Sequence, residues 1–131
     1  RDSGVPILLA AFAPLMMRLT ARYADMWTTD WLGPISKLRE DVTKVHAACA
    51  AGARDPATLA ITGGVTIGYP HLGTLPRWMN TPDSFITGSA DEVATRLNDY
   101  RQEGVNHVLT NLYPFTPEAI ERYAEAVEAS R

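Results

Sequence analysis

The residues best suited to chemistry stand on one long loop and at the end of one strand-like run. His71, Arg77 and Trp78 share the loop, where a guanidinium can hold an anion and an indole can cover an apolar substrate. Asn111 and Tyr113 close the last strand-like run and bring an amide and a phenol, both able to donate and accept hydrogen bonds. Asp30 and Trp31 follow another strand and read as a surface carboxylate and a packed indole. The three histidines are widely spaced and no paired Cys or His spacing occurs, so no metal site is expected. His46 lies on the charged face of a helix and reads as solvated. His107 opens the last strand and reads as structural. The sole cysteine, Cys49, rules out an intrachain disulfide and falls on an apolar helical stripe, as a buried thiol does. There is no nucleophile-elbow sequence and no glycine-rich or Walker phosphate motif.

Those residues must be held by alternating strands and helices. The order strand–helix repeats four times, which implies a parallel sheet with helices packed outside it. Residues 5–12 form a nearly continuous apolar run, expected of a strand buried on both faces. Pro14 then opens a helix, with Leu15, Leu19 and Tyr23 as its expected buried face. A second strand over 25–29 leads through a turn at Trp31, Leu32 and Gly33 into a helix over about 34–51. Its buried face is Ile35, Leu38, Val42, Val45 and Cys49, and its wet face is Lys37, Arg39, Glu40, Asp41 and Lys44. A third strand over 59–67 precedes an irregular stretch over 68–87, and loops of that length in compact domains are usually functional. Ser89 with Glu92 reads as a capping box for a helix ending at Gly104. The fourth strand covers 105–113. Thr116 caps the last helix, whose expected apolar stripe is Ile120, Tyr123, Ala124 and Val127.

The 131 residues suffice for a single domain and one modest core, and 46% hydrophobic with 21% charged residues is ordinary for a soluble globular chain. The net charge is −3 and the basic residues form no run, which argues against nucleic-acid or anionic-membrane partners. The apolar stretch over 5–17 is too short to span a bilayer and is broken by Pro6 and Pro14, so a cytoplasmic location is expected. The chain opens on Arg1, which reads as a cut, a processed end or the remainder of a longer chain.

Three stretches resemble the luciferase-like monooxygenase family. Residues 6–14 running into 18–27 (PILLAAFAP and RLTARYADMW) are similar to that family's "PI-x-IGG-x-GP … R-x-AARYADGW" segment. Residues 86–97 (ITGSADEVATRL) resemble its "G-s-p-e-e-v-a-e-r-l", and residues 100–107 (YRQEGVNH) its "y-x-e-a-G-v-d-x". The resemblance covers essentially the whole chain. It implies four β/α units, strands five to eight of a TIM (β/α)8 barrel, with the long loop as the insertion after strand seven. It also implies a flavin cofactor, FMN or the deazaflavin coenzyme F-420, and an oxidoreductase or monooxygenase acting on a small molecule. Ala10, Ala11, Phe12 and Ala13 match the turn that packs against the flavin, where the family favours glycines. Thr28 and Thr29 match positions facing phosphate or substrate. Arg77, Trp78, Asn111 and Tyr113 are the substrate-side candidates. The residues that carry catalysis are not assigned. The family's first four units have no counterpart here, so the segment is expected to be inactive alone and to need the missing N-terminal half barrel or a homo-oligomer.

Two other readings stay open. One is a stand-alone half barrel acting as a binding or assembly module, since two open sheet edges and an uncovered inner face invite association. The other is an open-sheet α/β domain unrelated to flavin, against which the absence of glycine from the first turn speaks.

Overall fold

A computed structural model of the protein describes residues 4–81 and 83–131, apart from the side chain of Asp30. Eight main elements alternate: β1 (Leu8–Ala10), α1 (Pro14–Tyr23), β2 (Met26–Trp31), α2 (Ile35–Ala51), β3 (Ala60–Gly68), α3 (Ala90–Gln102), β4 (Val105–Tyr113) and α4 (Pro117–Ala129). The four strands form one parallel sheet in the order β1-β2-β3-β4. Each strand lies beside its sequence neighbour through a helical crossover, which is the arrangement of half a (β/α)8 barrel.

Local chemistry sets the boundaries. Pro14 takes the first turn of α1, where its missing N–H costs nothing. Ser89 accepts from the Glu92 N–H while the Glu92 carboxylate accepts from the Ser89 N–H, so the capping box expected from sequence closes both ways. Thr116 accepts from the Ala119 N–H at the start of α4. Gly104 ends α3's turn with φ +88°, a left-handed conformation that favours glycine.

The core lies between the helices and one face of the sheet. Register partners in a parallel pair share a face, so Leu9, Trp27, Ile61, Val65, Ile67, Val108 and Leu112 point toward the helices. There they meet Leu38, Val45 and Cys49 of α2 and Val93 and Tyr100 of α3. Trp27 is fully buried, and its indole N–H donates to the Ala11 carbonyl at 2.9 Å. Arg54 ties the opposite end together by donating to the Ala21 and Ala24 carbonyls and to Thr58.

Several expectations need correction. The first strand shortens from 5–12 to Leu8–Ala10, with Val5 and Leu8 exposed, because it is an edge strand with one neighbour. On α1 the buried residues are Met17, Thr20 and Ala21, whereas Leu15, Leu19 and Tyr23 face outward. The helix packs beside α2, with Ala21, Ala48 and Ala51 lining a cavity between the two, and its larger apolar face turns away. Asp41, expected on the wet face, is buried. Burial alone would raise its carboxyl pKa, but hydrogen bonds from Lys37 and Lys44 outweigh that and hold it below its ordinary value. On α4 the buried residues are Ala119 and Ala126; Ile120 and Ala124 are exposed, because the helix packs on α3 along one side. Trp31, read as packed, is 50% exposed.

Candidate functional site

The face of the sheet opposite the helices carries most of the candidate residues. One row runs across all four strands: Ala10, Thr28, Thr62 and His107 are successive register partners. Above it on β3 and β4 stand Gly64 beside Leu109, then Thr66 beside Asn111, then Gly68 beside Tyr113. This inner face is therefore built of small and hydroxyl-bearing residues on its central strands.

His107 owes its place to a bulge. Val105 pairs with Ile61 and His107 with Thr62, so Asn106 is the extra residue. Its side-chain oxygen accepts from the Ile61 N–H at 3.0 Å, which pins the irregularity. Regular alternation from buried Val105 would aim His107 at the helices; the bulge turns it to the inner face.

The candidate turn after β1 divides by role. Ala10 is exposed on the inner face, next to Thr28. Ala11 is buried, with its carbonyl held by Trp27. Phe12 and Ala13 are exposed, and Ala13 is the N-cap residue of α1 without a side-chain cap. Thr28 is half-buried and Thr29 buried, with the register slipping between Thr28 and Trp31.

The long loop folds back over the C-terminal ends of β3 and β4. Ile86 joins the edge of β3 beyond the end of β2: its N–H donates to the Thr66 carbonyl, and its carbonyl accepts from the Gly68 N–H. Gly68 makes room for the loop, since a Cβ there would meet Phe85 at 2.6 Å and Met79 at 2.7 Å. Trp78 stands edge-on to Tyr113, ring centres 5.7 Å apart. Three of the four substrate-side candidates are thus gathered: Trp78 on Tyr113, with Asn111 two residues back on the same face. Arg77 is exposed and is not among the residues lining the cavity described next.

A cavity of about 260 Å³ opens at the C-terminal ends of β2 and β3, beneath this loop. Trp31, Thr66, Trp78, Asp83, Arg96 and Tyr100 are among its walls. Burial pushes the Tyr100 phenol above its ordinary pKa, so it stays protonated and donates to the Gly33 carbonyl at 3.0 Å. The sequence alone singled out none of Thr66, Arg96 and Tyr100 as site residues. Only the return of the loop to β3 brings them to one wall. Among the described residues no group of His, Cys, Asp or Glu is arranged to hold a metal ion, and no helix is long and apolar enough to cross a membrane.

No family model matches the chain, and no curated protein matches it. Solved structures do. An F420-dependent secondary alcohol dehydrogenase, solved with an F420-acetone adduct, superposes with a TM-score of 0.77 at 15% identity over 99% of this chain and 50% of that one. The coenzyme F420-dependent tetrahydromethanopterin reductase of Methanopyrus kandleri gives 0.69 at 13% identity, over 97% and 51%. An EDTA monooxygenase from Chelativorans sp. BNC1 gives 0.67 at 16% identity, over 94% and 45%. The chain shares the fold of these oxidoreductases and monooxygenases and spans about half the length of each.

Proposed function

We propose that the chain is the C-terminal half barrel of a luciferase-like oxidoreductase that uses coenzyme F420 or FMN, and that its β-to-α loops hold one side of that cofactor. The observation that carries this reading is the superposition of nearly the whole chain on half of an F420-dependent secondary alcohol dehydrogenase. The three family-like stretches, spread from residue 6 to residue 107, support it independently.

The residues present suit such a group. Ala10 is exposed and Thr28 half-buried beside it, small side chains over which a flat ring can lie close to backbone, while Thr62 is buried next to them with its hydroxyl donating to the Trp27 carbonyl. Ala11 keeps that surface fixed through the Trp27 indole. The cofactor would supply the hydride chemistry; the protein's part is position, electrostatics and the exclusion of water. Trp78, Tyr113 and Asn111 would wall the substrate side.

The test is a titration of the purified chain with FMN and then with the deazaflavin coenzyme, read by cofactor fluorescence, with molecular mass measured in the same sample. Saturable micromolar binding is expected once the barrel is completed, by a second copy or by an added N-terminal half. A folded, completed barrel that binds neither cofactor would overturn the proposal.

The exposed apolar face of α1 favours a second reading, a half barrel whose role is assembly. Leu15 is 60% exposed and Leu19 38%, and Phe12 and Tyr23 flank them. Such a contiguous face marks a surface that another chain or segment covers. The two readings are compatible, because covering that face is also how a barrel is completed.

A further inference from the structure

We infer that the cavity beneath the long loop is a binding site for a monoanionic, single-ring aromatic compound such as an aromatic carboxylate. The inference deepens the oxidoreductase reading by naming a substrate class, but its test does not depend on the cofactor. Trp31 and Trp78 both line the cavity and remain half exposed, at 50% and 52%. Neither stands on the helix-facing core; each offers an indole surface that an aromatic guest would cover. At about 260 Å³ the cavity is just below the usual range of small-molecule sites, roughly 300 Å³ and upward, which suits one ring better than a fused system.

The polar groups select the charge. Arg96 is hydrogen-bonded to the Tyr100 phenol, which steadies it on the wall, and forms no ion pair with a carboxylate among the described residues, so its remaining N–H donors can take a ligand carboxylate. Asp83 lies on the same wall without an ion pair to Arg96, so the single guanidinium can be matched by one ligand charge, while any further negative charge would meet a carboxylate. A monoanion therefore fits, whereas a polyphosphate would be repelled. Thr66, on the inner-face side, joins this cavity to the strand positions of Asn111 and Tyr113.

The chain's three tryptophans allow a direct test, because each indole N–H gives its own nuclear magnetic resonance signal. Benzoate should shift the Trp31 and Trp78 signals saturably and leave Trp27, bonded to the Ala11 carbonyl, unmoved. Arg96→Gln should weaken benzoate binding about tenfold or more, as removal of a charge-assisted hydrogen bond does. Arg96→Lys, which keeps the charge and loses the fork, should fall between. Tighter binding of benzyltrimethylammonium than of benzoate would overturn the inference and assign the site to Asp83 and a cation. Competition by inorganic phosphate would overturn it in favour of a plain anion site. No shift at either indole in a folded sample would also overturn it. Benzoate binding without cofactor binding would leave this site standing and count against the oxidoreductase reading alone.

Discussion

The third strand and the first are both apolar runs following a helix or the chain's opening, yet one is sealed and the other open. β3 has partners on both sides, and every residue from Ile61 to Gly68 is buried. Among the described residues β1 has one partner, pairs over three residues and leaves Leu8 and Ala10 exposed. The helices differ in the same sense. α2 buries Leu38, Val45 and Cys49, whereas α1 turns Leu15 and Leu19 outward. An apolar stretch therefore reports that something should cover it, and the sheet order reports whether this chain does so. The centre is a finished core; the β1–α1 edge is an unfinished one.

The sharpest way to break that contrast is at Trp27, where centre and edge meet. Trp27→Ala should lower stability by ~3–5 kcal/mol, since it empties a fully buried indole and releases the Ala11 carbonyl. Chemical denaturation would measure it, and a loss no larger than that of a surface substitution would deny the indole its place in the core. Next in size, Gly68→Ala should cost ~1–3 kcal/mol by forcing Phe85 and Met79 off β3. It should also increase proteolysis within the long loop; an unchanged cleavage pattern would show that the loop does not rest there.

Much of this architecture was legible because its signals are local. Pro14, Ser89 with Glu92, and Thr116 each announce a helix start through chemistry within one turn, and each acts as read. What was not legible depends on distant partners. The apolar stripe of α1 reads as a core face because spacing reveals a face but not what lies against it. The bulge at Asn106, which turns His107 to the inner face, rests on a hydrogen bond to Ile61. The cavity wall of Trp31, Thr66 and Arg96 joins residues from three elements under a loop that no period describes. Of the candidate site, the strand-end positions Thr28, Asn111 and Tyr113 could be picked out, while their common face came only with the register.

Two smaller effects refine the comparison. Ser89→Ala should cost about 1 kcal/mol by opening the cap of α3, visible as a lower midpoint with unchanged slope. Hydrogen bonds from the Ser89 backbone and side chain hold the Glu92 carboxyl below its ordinary pKa. A depressed acid contributes stability above its unfolded pKa and loses it as pH falls through the folded one. Glu92→Gln should therefore slightly flatten the acid side of the stability profile, and an unchanged acid side would assign no such role to the cap.

The edge itself gives the most direct test of the half-barrel account. The mass of the chain should be measured by light scattering over a range of concentrations, alone and with Leu15→Ser and Leu19→Ser combined. The account predicts that the natural sequence associates as concentration rises and that the double variant shifts toward monomer with little loss of fold. A sharp monomer at high concentration for the natural sequence would contradict it.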